Sequence, residues 1–207
     1  SAASDVYKRQ ISDNGRLVYA TSSGGTAGSR AMVWVDRDGQ EEALPVESNN
    51  FFFPRISPDG SQVATMIGNT ENVDIWVSDV SRGTLTNVTT SPAGDYRPLW
   101  SPDGTRVVFV SNRDTGQEQI FWRLAAGAGP IDSLFSEEHR VMGPSTWAMD
   151  GNSLVFSYVS GDEGISNDIG IVSLDGNWDP LLVTSAVEAG PSISPDGNWI
   201  AYNSNQT

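Results

Sequence analysis

Five copies of one short turn motif recur along this 207-residue chain at a nearly constant interval. They read Ile11-Ser12-Asp13-Asn14-Gly15, Ile56-Ser57-Pro58-Asp59-Gly60, Trp100-Ser101-Pro102-Asp103-Gly104, Trp147-Ala148-Met149-Asp150-Gly151 and Ile193-Ser194-Pro195-Asp196-Gly197. Their glycines are 45, 44, 47 and 46 residues apart. A period of that length, broken only by short apolar runs, predicts an all-β fold, a β-propeller whose blades are four-stranded antiparallel sheets.

Each motif position has a mechanical reason. Proline presets φ for the first corner of the turn, the Asp carboxylate accepts hydrogen bonds from nearby amides, and glycine takes the positive φ of a tight hairpin. Asn14 and Met149 replace Asp and Pro in two copies, where similar turn geometry is expected. Behind each glycine come apolar runs fit for buried strands. In the second unit these are Val63-Ala64-Thr65-Met66, Ile75-Trp76-Val77 and Leu85-Thr86-Asn87-Val88. In the first unit the fourth strand is expected at Ala43-Leu44-Pro45-Val46. Prolines 54, 98, 144 and 191 are expected just before the first strand of their units. The spacing to glycine is one residue longer at Pro144, which predicts a bulge at Ser145 or Thr146.

The repeats fall near 11–55, 56–99, 100–146, 147–192 and 193–207, giving about four complete blades and part of a fifth. The chain therefore reads as a fragment of a larger propeller, since closed propellers have 4 to 8 blades. Residues 1–10 lie outside the repeat. Asp5-Val6-Tyr7-Lys8-Arg9-Gln10 resembles a translated transposase adapter, so this leader is expected to be non-native or disordered.

Composition narrows the function. Twelve Lys and Arg stand against 26 Asp and Glu, a formal charge of −14, and no basic run exists to hold nucleic acid. Without cysteine there is no disulfide, thiol nucleophile or Cys-ligated zinc. No apolar stretch approaches the roughly 20 residues of a membrane helix, so direct insertion of this segment is not expected.

Arg97-Pro98-Leu99-Trp100-Ser101-Pro102-Asp103-Gly104, followed by Val107-Val108-Phe109-Val110-Ser111-Asn112-Arg113, resembles the WD40-like repeats of the TolB propeller family. Val33-Trp34-Val35-Asp36-Arg37-Asp38-Gly39 and Asp74-Ile75-Trp76-Val77-Ser78-Asp79 are more narrowly similar to the C-terminal propellers of bacterial transmembrane serine/threonine kinases. That resemblance implies an interaction or sensor module in a periplasmic or extracytoplasmic setting. The kinase motifs themselves are missing. A substrate-gating propeller of a prolyl-oligopeptidase-type peptidase carries similar repeats and is the alternative.

No catalytic constellation is legible. His139 is the only histidine, in the acidic loop Ser136-Glu137-Glu138-His139-Arg140, and no Gly-x-Ser-x-Gly elbow accompanies it. One Asp per turn supplies too few oxygens for calcium. Gly24-Gly25-Thr26-Ala27-Gly28-Ser29 lacks a phosphate-loop lysine, and the acidic loop around Asp162 and Glu163 reads as solvated. No cofactor or metal is expected. Trp34, Trp76, Trp100, Trp122, Trp147 and Trp199 fall in expected strands and read as packing between blades.

The surface is what remains. The loops entering the first strands surround one mouth of a propeller's channel, and their register places Phe52, Tyr96, Arg97, Arg140 and Met142 there. Aromatic and Arg residues grouped in this way suit a protein or peptide ligand. The competing reading has Phe52, Tyr96 and Met142 merely plugging the channel.

Overall fold

The computed structural model describes residues 9–11, 17–22, 29–68, 72–135, 140–160 and 166–206. Every regular element among them is a strand. The first sheet is the meander β1 (Arg9–Ile11), β2 (Leu17–Ser22), β3 (Arg30–Val35) and β4 (Glu41–Ala43). The second is β5 (Phe51–Ile56), β6 (Gln62–Gly68), β7 (Val73–Asp79) and β8 (Leu85–Asn87). The third is β9 (Asp95–Trp100), β10 (Arg106–Ser111), β11 (Gln119–Leu124) and β12 (Asp132–Phe135). The fourth is β13 (Val141–Trp147), β14 (Ser153–Ser160), β15 (Ser166–Ser173) and β16 (Trp178–Leu182). Strands β17 (Glu188–Ile193) and β18 (Ile200–Ser204) form a two-stranded sheet. The meander expected from the repeat is therefore observed, with antiparallel neighbours in sequence order. Strand β1 takes in Arg9 and Gln10, which pair with Tyr19 and Val18.

The chain divides into two compact units. One comprises residues 1–107 and 123–129, the other 108–122 and 130–207. In the first, Val18, Met32, Trp34, Leu44, Phe51 and Val63 are buried together, and Trp76 packs against them. The first sheet's fourth strand lies at Glu41–Ala43, two residues earlier than the apolar pattern predicts. Leu44 and Val46 follow it and are buried by packing; Pro45 between them has no N–H to continue a ladder. Gly83 closes the β7–β8 turn so near Pro45 that a Cβ there would lie 1.5 Å from the Pro45 carbonyl oxygen. In the second unit, Phe135 packs on Phe156 with ring centroids 4.8 Å apart, and Trp178 meets both Phe135 and Tyr158 edge-on. Gly170 on β15 leaves room for the Phe156 ring, whose Cζ lies 3.0 Å from where a Cβ would sit.

The repeated turn is a hydrogen-bonded clamp. Ser57 Oγ donates to Asp59 Oδ1 at 2.6 Å and accepts from the Gln62 amide at 2.9 Å. The Ser61 amide and hydroxyl both donate to the Asp59 carboxylate. Ser101, Asp103 and Thr105 repeat the arrangement, as do Ser194, Asp196 and Asn198. Gly60, Gly104, Gly151 and Gly197 each sit at positive φ between the first and second strands of their sheet. Asp150 has no serine two residues before it and takes Asn152 and Ser153 instead. The first copy, Ser12 to Gly15, lies outside the described residues. Each carboxylate is thus spent on its own turn.

At Asp59 and Asp196 these donors, led by the Ser57 and Ser194 hydroxyls, stabilise the charged carboxylate and bring it down to about 2. A carboxyl depressed in the folded state contributes stability above its unfolded value that is lost as pH falls through the folded value. The stability of the chain should therefore decline between about pH 4 and pH 2. Denaturant melts across that range should show a smaller decline in an Asp59→Asn, Asp196→Asn double variant, with lower stability at pH 7. Equal pH slopes in the two proteins would contradict this.

Candidate functional site

The residues singled out by register sit where a first strand begins, and that segment has an unusual backbone. The residue before each motif-associated proline has positive φ: Phe53 at 51°, Arg97 at 56°, Gly143 at 151° and Gly190 at 61°. At Phe53 and Gly190 the ladder carries one extra residue. Phe52 pairs with Met66 and Arg55 with Ala64, while Ala189 pairs with Asn203 and Ser192 with Ala201. Proline cannot donate to the ladder, so the bulge falls where that donor is missing. Thr65 fills part of the gap, its buried hydroxyl donating to the Phe52 carbonyl at 2.9 Å. Strand β13 has two such shifts, one over Met142 and one over Ser145; the second is the bulge expected from the longer Pro144 spacing. The bulges in β5 and β17 were not foreseen, because nothing in their spacing departs from the repeat.

Positive φ costs a bulky L-residue about 1–2 kcal/mol, whereas glycine adopts it freely. Two sheets have glycine at this position; the other two hold Phe53 and Arg97.

In the first unit, Phe52 is half-buried and the Arg30 guanidinium lies over its ring, 4.4 Å from the centroid. Arg30 is fixed there by its Nη1, which donates to Asn50 Oδ1 at 3.2 Å and to the Phe51 carbonyl at 3.1 Å. Asn50 in turn donates to the Gly68 carbonyl at 2.5 Å. Met66 is the cross-strand partner of Phe52, and its sulfur accepts the Arg97 amide at 3.3 Å. Arg30, Phe52, Met66 and Arg97 therefore form one run at the end of the sheet where β5 begins. Arg97 is exposed, while Tyr96 is half-buried and folds back so that its hydroxyl occupies the space a Cβ on Gly94 would need. Trp100 ties this strand to the preceding sheet by donating to the Arg55 carbonyl at 2.8 Å. The expected role of that tryptophan in packing between blades is thereby given a specific bond.

In the second unit, Arg140 precedes β13 and pairs with Glu118 through Nε at 2.8 Å and Nη2 at 3.3 Å. Met142 is half-buried in the same segment. His139 and the loop from Ser136, the acidic loop of Asp162 and Glu163, and residues 24–28 lie outside the described residues. Trp199, assigned to a strand from sequence, lies just before β18 and is 74% exposed.

Sequence reading missed Arg30 and Met66, and it also missed two acid pairs, one buried and one partly so. Thr184 links one pair, donating its amide to Asp168 at 3.2 Å and its hydroxyl to Glu188 at 2.8 Å; both acids are almost fully buried. Thr89 stands in the same register beside Asp74, whose carboxyl is raised by burial and then by the charge of Asp95. A signal existed: acid on the third strand, threonine after the fourth, acid three residues before the next proline.

Residues 12–207 match the TolB beta propeller domain family. The chain belongs to that family. It is 26% identical over 200 residues to the Tol-Pal system protein TolB of Francisella tularensis, covering 95% of this chain and 45% of that protein. It is 24% identical over 195 residues to the uncharacterized peptidase YuxL of Bacillus subtilis, covering 74% of this chain and 29% of that one. The putative TolB structure from Agrobacterium tumefaciens superposes with a TM-score of 0.75 at 19% identity, over 97% of this chain and 74% of that one. The chain spans less than half the length of both of these sequence relatives. The four-stranded sheets are thus blades of a TolB-type β-propeller.

Replacing Arg97 by glycine should relieve the positive-φ strain and raise stability by about 1 kcal/mol, net of glycine's greater freedom in the unfolded chain. Urea titration of Arg97→Gly against the parent at unchanged slope would measure it. A destabilised variant would show that the Arg97 side chain anchors the fold.

Proposed function

We propose that this TolB-type propeller is a non-catalytic interaction module that takes a protein or peptide ligand at the mouth formed by the starts of its first strands. Phe52, Tyr96, Arg97, Arg140 and Met142 are its contact residues. The observation that carries this reading is the strained, exposed Arg97. A position that two other blades give to glycine here holds a long, exposed, charged side chain at an energetic cost. Arginine and aromatic residues are the types that dominate binding energy at protein interfaces. The plug reading accounts for half-buried Phe52, Tyr96 and Met142 but not for exposed Arg97 and Arg140.

The similarity to TolB supports a periplasmic or extracytoplasmic setting and a protein partner. The parent would be a TolB-like protein or a serine/threonine kinase carrying this propeller at its C-terminal end, in which case the module senses an external ligand. The similarity to YuxL favours a second reading, a propeller that gates access to a peptidase domain. The two differ in where the ligand goes: a sensor holds it, a gate passes it on.

Photo-crosslinking tests the interaction reading. With p-benzoylphenylalanine at Tyr96 or Met142 of the chain expressed in its source cells, a discrete adduct should form, and Arg97→Ala or Phe52→Ala should reduce it several-fold. The same probe at Arg37, in the exposed β3–β4 turn, should give none. Adducts of equal yield at all three positions would contradict the proposal.

A further inference from the structure

We propose that the end of the second sheet where β5 begins is a carboxylate-recognition site, in which Arg30 offers a pre-positioned guanidinium edge to an acidic peptide segment. The inference rests on the interaction-module reading and names the chemistry of its ligand.

Arg30 is held but not satisfied. A guanidinium has five N–H donors, and both bonds made by Arg30 run through Nη1. Among the described residues neither Nε nor Nη2 has a hydrogen-bond acceptor, and no carboxylate pairs with Arg30. Nε and Nη2 form the edge that binds a carboxylate through two parallel bonds. The Phe52 ring beneath and the two Nη1 bonds hold the fork in one orientation, so little side-chain entropy remains to be lost when a ligand docks.

The lack of an acid here is unusual for this chain. Acids outnumber bases by 26 to 12, and another arginine, Arg140 just before β13, is taken up bidentately by Glu118. Residues 23–28, which precede Arg30 in sequence, contain no acid. Arg97, linked through Met66 to Phe52, adds a second cation to the same end. A positive site on a strongly negative protein is selective in a simple way. A polyanion is repelled everywhere else, so it binds only where a specific fork outweighs the net charge.

The test is fluorescence anisotropy of a fluorescein-labelled decaglutamate peptide, and of its decaglutamine analogue, titrated with the full 207-residue chain at low salt. Decaglutamate should bind measurably more tightly than decaglutamine and weaken as salt rises. Arg30→Gln should reduce its affinity at least tenfold, the loss expected when hydrogen bonds to a charged group are removed. Arg30→Lys should restore only part of that, since it returns the charge without the fork. Arg37→Gln removes the same charge from an exposed turn and should leave affinity within about twofold. If Arg30→Gln does not fold, the unmutated protein still decides the matter: the Arg30 Nε–H resonance should shift on adding decaglutamate. Equal binding of the two peptides, lost in Phe52→Ala but not in Arg30→Gln, would overturn the carboxylate site and leave the interaction module standing. No binding of either peptide, or no movement of the Arg30 resonance, would also overturn it.

Discussion

The bulge beside the proline of the first strands β5, β13 and β17 is the constraint on which the rest of this structure depends. Side chains on a strand alternate between faces, so one extra residue reverses which face every following residue addresses. Phe51 and Ile56 are both buried although an odd number of positions apart, which an unbroken strand does not allow on one face. The bulge at Phe53 and Pro54 reconciles them. It also sets two residues, Phe52 and Phe53, at the entrance of the strand while the remainder of β5 joins the core. The proline excludes a ladder bond at that point, and the positive φ of its predecessor accommodates the extra residue.

At the other end of the same hairpin the Ser-x-Asp clamp fixes the register from which the bulge is counted. The Ser57 hydroxyl serves as both donor to the carboxylate and acceptor for the amide that begins the second strand, so the turn is closed by its own side chains. Between clamp and bulge lies the motif tryptophan. At Trp100 its indole N–H reaches the preceding sheet and carries the alignment of one hairpin into the next. Turn and tryptophan thus align the first hairpins of the second and third sheets. A site assembled from residues of equal register can vary in content from blade to blade while its scaffold repeats.

Most of the fold was legible because it is written in turn chemistry. Gly, Pro and Asp have few conformational roles, and their recurrence at Gly60, Gly104, Gly151 and Gly197 places the hairpins directly. Boundaries were less legible where packing outranks propensity: Leu44 and Val46 read as strand but are buried beyond the end of β4. The site was half legible. Register put Phe52, Arg97 and Met142 near the starts of their first strands, where the structure has them, since a repeat predicts equivalent positions. It could not find Arg30, which belongs to the third strand of the preceding unit and meets Phe52 only through tertiary contact. It could not find the Arg140–Glu118 pair for the same reason. The positive φ at Phe53 and Arg97 was hidden because neither residue type advertises it, whereas Gly143 and Gly190 do.

The account turns on the backbone at those two residues, and solution NMR measures it directly. At positive φ a residue's own amide and α protons lie closer than in extended strand, so the intraresidue NH–Hα Overhauser effect is strong. Isotope-labelled chain should show strong effects at Phe53 and Arg97, like those of residues in left-handed turns, with the cross-strand contacts Phe52 to Met66 and Arg55 to Ala64 on either side of an interruption. Weak effects at both residues, with an unbroken ladder from Phe51 to Ile56, would contradict it.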